Sequence, residues 1–481
     1  MSVNSLNLLI IILFLVLNQG CSGTTLFTDL TSVSSTPTPT PAPWSNIKQT
    51  GVSLATLSGA GVAADGLGNI YVTGSTNTSL TTGPGPASLS DYFLYVSKYN
   101  SSGALKFTLQ NGISGTTTYG AAITTDSSNN FYVSGYTNGD LVHGAGASTG
   151  LQDLYITKYD SSGTRQFISQ YGVLGRSTQC NGVAVDLSGN IYVAGNTSGN
   201  LVTDTGPSTG NSGPCGGPCT DAYVTKFNSS GVYQSTKQVG LINNVTTGFT
   251  DNVDSSGNSY LVGYTTANLV NSTSLEANPV NLGRTIDSFV IKYSSLGVAQ
   301  TPKQLGFAGT ITYGLGVAAD SAGYFYVVGT SGANLNTNAA LTGGRSDCFI
   351  AKYDSSGTLQ FIKEIGVPTF KTYCVSVTTD ASNHIFVSGY TGGNLVTGSG
   401  ASTGTADYFI AKFDSSGTQQ FISQNGVTGG TTSKALGIVL DSGGNIFTTG
   451  ITTGNLVTGS GSSTGVQDAF ISKYNSSGVQ Q

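Results

Sequence analysis

The side chains best suited to proton transfer or metal ligation in this sequence are its two histidines, and they are far apart. His384 lies in a short turn that begins at Asp380, whereas His143 lies in a long connection. We expect these two kinds of segment on opposite faces of the fold, where no histidine pair could bind a metal or relay a proton. No G-x-S-x-G sequence stands on a strand-to-helix turn either. The sequence therefore predicts no enzyme, no metal site and no cofactor.

Acidic residues recur in two series. The first series starts seven D-x-x-G-N turns or variants of them, at Asp65, Asp126, Asp186, Asp254, Asp320, Asp380 and Asp441. Calcium is one interpretation, but each turn supplies at most two carboxylates and lacks the alternating acidic ligands of a calcium loop, so hydrogen bonding within the turn is favoured. The second series stands five residues before a recurring lysine, and we expect it to bond backbone at strand starts. Its members are Asp153, Asp221, Asp287, Asp347, Asp407 and Asp468.

Besides Cys21, the sequence contains five cysteines. In an exported protein, the segment G-P-C-G-G-P-C predicts a disulfide between Cys215 and Cys219, in preference to a metal site without other ligands. Cys180 and Cys374 occupy equivalent positions in nearly opposite repeats, too far apart to bond. Together with Cys348 they are interpreted as small buried apolar side chains.

The elements that position these residues are repeated strand pairs such as Gly182 to Gly195, G-V-A-V-D-L-S-G-N-I-Y-V-A-G. Apolar residues alternate on both sides of the turn, which is typical of strands with one face in a core. The turn aspartates recur at intervals of 60 to 68 residues, and the motif K-[YF]-[DNS]-S-[SL]-G follows in step from Lys98 to Lys473. Each of the seven repeats therefore offers four strands, which predicts an all-β, seven-bladed β-propeller of four-stranded antiparallel blades.

The combination G-[IV]-A-x-D-x-x-G-N-x-[YF]-x-x-G followed by D-x-[FY]-[VI]-x-K-[YF]-[DN]-S-S-G resembles the SBBP β-propeller repeat and, more distantly, the NHL repeat. The resemblance covers about residues 45 to 481. It implies a propeller of the bacterial envelope or cell surface, in a family without a common assigned activity. The matching motifs are turns and core strands, so the resemblance concerns the fold more than the function.

The two ends of the propeller complete each other in the sequence. The fourth strand follows G-x-x-Q-x-x-x-Q-x-G, but the seventh copy stops at Gln481, and its missing half, N-I-K-Q-T-G, stands at Asn46 to Gly51. A closed ring without a free edge requires the two ends to share a blade, so we expect residues 46–51 to form the outer strand of blade seven. The alternative makes them the innermost strand of blade one.

The short turns should share one rim of the ring, and the long, variable connections should share the other. Loops of the second kind usually carry the function of such a scaffold. Exposed tyrosine, asparagine and basic side chains around a concave mouth suit a glycan or a protein loop. The recurring G-N-L-V-T motif has a second interpretation, in which its leucine simply packs each loop down. The candidate binding residues are Tyr119, His143, Arg176, Asn200, Arg284, Tyr313, Arg345, Lys371, Tyr373, Asn394 and Asn455.

The first residues predict export. Leu8 to Leu17 is an apolar run of signal-peptide length, and the Gly20-Cys21 pair after it resembles the lipobox of bacterial lipoproteins, although residues 1–20 carry no Lys or Arg and Asn18 replaces the usual aliphatic residue. The resemblance implies a signal peptide (1–20), lipidation of Cys21, and delivery to the outer membrane because Ser22 follows. A plain secretory signal is the alternative. Residues 21–44, rich in Ser, Thr and Pro, predict an extended tether before the propeller of 45–481.

Charge narrows the possible partners. The net charge of -5 and the spread of only 18 basic residues over all repeats argue against nucleic acid. Three functions remain: a non-catalytic envelope lipoprotein acting as a monomeric platform for an unknown protein or glycan, a lectin-like carbohydrate-binding module, and a propeller lyase or hydrolase. Binding of glycans through exposed tyrosines favours the second, and a role for His143 in turnover would favour the third.

Overall fold

The computed structural model describes residues 44, 47–81, 85–86, 88–143, 149–203, 219–270, 286–307, 309–337, 339–341, 345–459 and 461–481. These residues form seven four-stranded antiparallel sheets, the blades of a β-propeller, which confirms the predicted fold class. In this part of the chain there is no helix, and hence none that could cross a bilayer. The predicted signal peptide, Cys21 and the tether lie outside the described residues, except for Trp44 at its end.

The strands of each blade follow one another in sequence, apart from β1 (Lys48–Thr50), which joins the last blade. The blades are: blade 1, β2 (Leu57–Ala64), β3 (Ile70–Thr76), β4 (Phe93–Tyr99) and β5 (Leu105–Asn111); blade 2, β6 (Thr118–Thr125), β7 (Phe131–Thr137), β8 (Asp153–Tyr159) and β9 (Arg165–Tyr171); blade 3, β10 (Thr178–Val185), β11 (Ile191–Thr197), β12 (Asp221–Phe227) and β13 (Tyr233–Val239); blade 4, β14 (Thr246–Val253), β15 (Ser259–Thr265), β16 (Asp287–Tyr293) and β17 (Lys303–Leu305); blade 5, β18 (Thr312–Ala319), β19 (Phe325–Ser331), β22 (Asp347–Tyr353) and β23 (Leu359–Ile365), with the small hairpin β20 (Ala333–Asn334) and β21 (Ala339–Ala340); blade 6, β24 (Thr372–Thr379), β25 (Ile385–Thr391), β26 (Asp407–Phe413) and β27 (Gln419–Asn425); and blade 7, β28 (Ser433–Leu440), β29 (Ile446–Thr452) and β30 (Asp468–Tyr474).

The first strand of every blade lies innermost. These seven strands neighbour one another around the ring and line a central channel of about 720 Å³. Each of them carries a β-bulge after its third residue, as between Cys180 and Gly182 in β10. A bulge increases the local bend of a strand. The second and third strands are buried almost throughout and supply the apolar surface between blades.

The ring closes as the sequence predicts. β1 pairs antiparallel with β30, with Lys48 opposite Ile471 and Thr50 opposite Ala469. Gln480 and Gln481 begin the same outer strand from the other end of the chain, since Gln481 N donates to Lys473 O at 2.9 Å. The last blade is thus assembled from both ends, and the alternative placement of residues 46–51 in blade one is wrong.

The cysteines differ from expectation in one respect. Cys348 of β22 and Cys374 of β24 form a disulfide between blades 5 and 6, with Cα atoms 5.1 Å apart. The interpretation of both as small buried apolar side chains is therefore wrong. In the ring, the second residue of the third strand in one blade lies against the third residue of the first strand in the next blade. Cys180 is buried as expected, and its thiol donates to Gly182 O. Cys215 lies outside the described residues, so its bond to Cys219 stays a prediction.

Removing the disulfide between blades should lower stability measurably. In a Cys348→Ser/Cys374→Ser variant, we expect a loss of about 2–4 kcal/mol in the free energy of unfolding, because the bond restricts the unfolded chain across 26 residues. Denaturant titration followed by circular dichroism measures this loss. Cys180→Ala is the matched control, with an expected loss of about 1 kcal/mol. Equal losses in the two variants would contradict the assignment.

Candidate functional site

The face that carries the second-to-third and fourth-to-first connections is called the long-loop rim here, and the opposite face the short-turn rim. On the long-loop rim, the second residue of each first strand lies opposite the sixth residue of the second strand, as for Tyr119 and Tyr136. These pairs surround the channel mouth and are rich in tyrosine. Together with Tyr92, which precedes β4, they form what we call the tyrosine crown: Tyr92, Tyr119, Tyr136, Tyr264, Tyr313, Tyr373 and Tyr390.

The crown rings contact one another within and between blades. Tyr119 packs between Tyr92 and Tyr136, with ring centroids 5.2 and 4.9 Å away. Tyr373 and Tyr390 are stacked at 4.7 Å. Offset and edge-to-face contacts of this kind hold aromatic side chains in fixed positions. The crown therefore presents preformed apolar surfaces at the rim.

A further group of contacting aromatic rings lies across blades 4 and 5. Tyr264 contacts Tyr313 edge-on at 4.9 Å, and Phe249 lies 5.6 Å from Tyr264. All crown tyrosines are half-buried, so each keeps part of its surface accessible to a ligand.

Burial disfavours ionisation of four crown tyrosines. Burial raises the pKa of Tyr136 and of Tyr390 to about 12, and it also raises the pKa of Tyr119 and of Tyr313. Lys434 lies with its Nζ 4.8 Å from the Tyr390 ring centroid, which places a positive charge at this edge of the mouth. The crown thus combines neutral hydroxyl donors with one cation.

Blade 3 contributes amides where other blades have aromatic rings. Gln179 Nε2 donates to Gln152 Oε1 at 2.8 Å, and Asn181 Nδ2 donates to Gly248 O at 2.8 Å and to Asn196 Oδ1 at 3.2 Å. These side chains lie beside the crown on the same rim. An amide group can both donate and accept, so this sector suits a polar ligand.

Three of the candidate residues, Tyr119, Tyr313 and Tyr373, belong to the crown. Lys371 is exposed directly before β24, two residues from Tyr373, and Arg176 is half-buried before β10. Arg284 lies outside the described residues. The structure thus brings the tyrosines and Lys371 to one rim, while their role in binding stays a prediction.

The remaining candidates are engaged in local contacts. His143 Nδ1 lies 2.6 Å from Asp140 Oδ2 and its side chain is 79% exposed. Arg345 lies 3.6 Å from Asp347. The side-chain oxygens of the G-N-L-V-T asparagines each accept two backbone N–H groups of their own turn, in Asn200, Asn394 and Asn455. The leucine that follows each of them is buried or half-buried, which supports the packing interpretation of the motif.

The turn aspartates bond within their own turns, as predicted. Asp126 Oδ1 accepts from the backbone of Ser128 and Asn130, and its Oδ2 accepts from the Tyr132 hydroxyl at 2.9 Å. In the second series, Asp153, Asp407 and Asp468 accept from backbone N–H groups, as predicted. Asp287 and Asp347 differ, because one oxygen of each has no hydrogen-bond partner among the described residues. Within the described residues, no three His, Cys, Asp or Glu side chains are grouped so that they could hold a metal ion.

A glutamine of the fourth strand completes the second series. Gln170 donates to Asp153 at 3.0 Å and accepts from the backbone of Leu141, so it ties the long loop to the blade. Gln49 of β1 makes the same contacts in blade 7, with Asp468 and Leu456. The chain end therefore reproduces the hydrogen bonds of an uninterrupted blade.

Blade 5 has Glu364 at the glutamine position. Glu364 accepts from Leu335 N and from Asn336 Nδ2, both at 3.0 Å, but cannot donate to Asp347 as glutamine would. Burial, and secondarily the charge of Asp347, raises the pKa of Glu364, and burial raises the pKa of Asp347. Two carboxylates thus lie where other blades have a glutamine that donates to an aspartate.

A Glu364→Gln variant should be more stable than the wild type at neutral pH. Because the folded state raises the pKa of Glu364, the stability that this group contributes is complete below its unfolded pKa and is lost as the pH rises through the folded pKa. The difference in unfolding temperature should therefore grow as the pH rises from the ordinary glutamate pKa of about 4.3 toward neutral pH. Gln424→Glu in blade 6 is the converse control and should lose stability over the same interval. A pH-independent difference would refute the carboxylate contact.

The comparisons with known proteins concern mainly the fold. The SBBP family, described as a beta-propeller repeat, matches residues 46–80, 106–141, 166–201 and 303–336. Curated proteins show no significant sequence match. Three solved structures are similar: the mitotic checkpoint complex (12% identity, 90% of this chain and 96% of that chain, TM-score 0.45), the β-propeller domain of the trilobed protease from Pyrococcus furiosus (7%, 90% and 96%, 0.46), and a gluconolactonase from Xanthomonas campestris (13%, 66% and 81%, 0.32).

Proposed function

Since this chain is a seven-bladed β-propeller that carries SBBP repeats, we propose that it is a non-catalytic platform that binds a protein or glycan at the tyrosine crown. The observation that carries the proposal is the arrangement of seven half-buried tyrosines on one rim, where Tyr119 and Tyr136 line the channel. Tyrosine combines a large contact area with a polar tip and loses little conformational entropy when it is already packed. It is also enriched among the residues that dominate binding energies.

The location of the protein belongs to the same proposal. The apolar run before Gly20-Cys21 and the Ser/Thr/Pro-rich residues that follow support an outer-membrane lipoprotein, anchored through Cys21 and carrying a monomeric propeller on a tether. Labelling with a palmitate analogue and membrane fractionation test this, with Cys21→Ser as the variant. Loss of the label and release of the protein are expected. Proteolysis of intact cells then determines on which side of the outer membrane the propeller lies.

A glycan is the second candidate, since Gln152 of blade 2 and Gln179 and Asn196 of blade 3 form a hydrogen-bonded group of amides on the same rim as the crown. A glycan needs both flat apolar faces and groups that exchange hydrogen bonds with hydroxyls. We do not extend the proposal to catalysis, because His143 lies on an exposed loop, paired with Asp140, and contacts no crown residue.

The experiment compares the wild type with Tyr373→Ala/Tyr390→Ala on an oligosaccharide array and in capture of envelope proteins. Loss of the stacked pair should weaken binding at least about tenfold. Tyr233→Ala is the control, since Tyr233 is exposed on the outer strand of blade 3. Equal binding by all three proteins would refute the crown as the site. A ligand on the array but not among proteins would select the glycan.

A further inference from the structure

A cavity on the short-turn rim interrupts the packing between blades 3 and 4. It has a volume of about 290 Å³, and its lining includes Lys226, Gln234, Ser235, Lys237, Ser294 and Ser295. It lies on the opposite rim from the tyrosine crown, because its residues come from short turns and from the beginning of a fourth strand. The proposed function of the crown makes no use of it.

The cavity exists because blade 3 departs from the repeat. In the other blades with a full fourth strand, the recurring lysine lies opposite a phenylalanine, as Lys158 lies opposite Phe167. In blade 3, Lys226 lies opposite Ser235. The phenylalanine ring normally packs against the turn glycine of the next blade, as Phe167 does against Gly231. The corresponding phenylalanines are Phe107, Phe167, Phe361 and Phe421.

A lysine lies beside the space that the missing ring leaves. Gly297, the turn glycine of blade 4, lies against the Cε end of Lys237. Lys237 is half-buried and, among the described residues, makes no salt bridge. Lys226 lies over the Tyr192 ring, 5.1 Å from its centroid. Two ammonium groups therefore border one cavity.

The facing turn of blade 4 carries no negative charge. The residue that follows K-[YF] in the turn motif is Asp160, Asp354 or Asp414 in three blades, asparagine in three others, and Ser294 in blade 4. Asp186, which accepts from the hydroxyl of the lining residue Tyr192, is also occupied in its own turn by Ser188 N and by Asn190. The three features act in one direction, since they leave space, place two lysines beside it and bring no carboxylate from the facing turn.

We propose that this cavity binds a phosphate monoester of a small polar molecule, such as a sugar. The ammonium groups of Lys226 and Lys237 match the two charges of a phosphate monoester, and the hydroxyls of Ser235, Ser294 and Ser295 can donate to its oxygens. The cavity is larger than a phosphate group alone, so it leaves room for the esterified molecule. Leu296, 88% exposed at the edge of the cavity, offers an apolar contact for that part.

The test is calorimetric titration of the whole propeller with glucose 6-phosphate at low salt, together with inorganic phosphate, glucuronate and glucose. Saturable binding of glucose 6-phosphate is expected, stronger than that of phosphate or glucuronate, and no binding of glucose. Lys237→Met and Ser235→Phe should each weaken binding at least about tenfold, the first by removing a charge and the second by filling the cavity. Ser235→Phe introduces the residue that four other blades contain, so it is expected to fold.

Lys363→Met is the matched control, because Lys363 occupies the position of Lys237 in blade 5, where Phe361 fills the groove. It should bind like the wild type. The proposal is overturned if glucose 6-phosphate shows no saturable binding, or if Lys363→Met weakens binding as much as Lys237→Met does. Unchanged binding by Lys237→Met would also overturn it. The Lys237→Met result is sufficient even if Ser235→Phe does not fold. Preference for glucuronate over glucose 6-phosphate would overturn the assignment of a phosphate.

Discussion

A Trp44→Ala variant is expected to lose about 3–5 kcal/mol of unfolding free energy. Trp44 is 3% exposed and lies between the first and last blades, with its ring 5.9 Å from Tyr99 of blade 1 and 5.2 Å from Phe447 of blade 7. The turn glycine Gly103 also lies against this ring. Removing it leaves a cavity at the point where the ring closes, and the three residue pairs that join β1 to β30 cannot replace the lost contact.

Denaturant titration followed by circular dichroism measures the loss. Tryptophan fluorescence is unsuitable, because Trp44 is the single tryptophan and the variant lacks it. Leu174→Ala is the control, because Leu174 is 77% exposed and its truncation should cost little. Trp44→Phe should recover part of the stability by refilling the site. If Trp44→Ala were as stable as Leu174→Ala, closure would not depend on this side chain.

An Asp126→Ala variant should lose about 2–4 kcal/mol, because one carboxylate satisfies several donors that would remain buried without it. Besides the two backbone groups of its turn, Asp126 accepts from Asn130 Nδ2 at 2.8 Å and from the hydroxyl of Tyr132, and lies 3.5 Å from Lys158 Nζ. Tyr132 is fully buried, and its hydroxyl loses this acceptor when the carboxylate is removed. Thermal and denaturant unfolding measure the loss.

Asp441→Ala provides the comparison within the same protein. The corresponding aromatic residue in blade 7 is Phe447, which has no hydroxyl, so the loss should be smaller than for Asp126→Ala. Burial opposes ionisation of Asp126, but hydrogen bonds from Asn130 and Tyr132 and the charge of Lys158 hold its pKa below the ordinary value. The stability it contributes is therefore present above the unfolded pKa and is lost as the pH falls through the folded pKa. A larger effect at Asp441 would contradict this account.

The blades, the turns and the closure could be predicted because each is encoded by residues close in sequence and repeated seven times. Gln49 identifies β1 as a missing fourth strand through the same pattern that contains Gln170 and Gln424. Because all blades share one strand register, each of these glutamines donates to the aspartate at the start of the third strand in its blade. A local sequence pattern that repeats at a regular interval is therefore sufficient to predict the fold.

The site was predicted only in part. Tyr119, Tyr313 and Tyr373 are among the candidate binding residues of the sequence, whereas Tyr136, Tyr264 and Tyr390 are not, because they stand near the ends of second strands that the sequence assigns to the core. Spacing could have revealed two of them, since Tyr119 pairs with Tyr136 and Tyr373 with Tyr390, 17 residues on in each case. A shift by one residue at each bulge, which the sequence does not show, places these pairs side by side.

Contacts between blades were the least predictable. The bond between Cys348 and Cys374 depends on how neighbouring sheets face each other around the ring, which no alternation within a strand encodes. Cys180 occupies the same place in blade 3, and it packs with Leu154, the counterpart of Cys348 in blade 2. The cavity of blades 3 and 4 likewise depends on a single serine in place of a ring that projects toward the neighbouring blade.

The direction in which β1 runs determines on which rim of the ring the chain enters the last blade. From Lys48, opposite Ile471, the strand rises toward Thr50, opposite Ala469, near the long-loop rim. The polypeptide therefore enters the ring on the far side, at Trp44. Trp44, where the described part of the chain begins, and the tyrosine crown therefore lie on opposite faces of the ring.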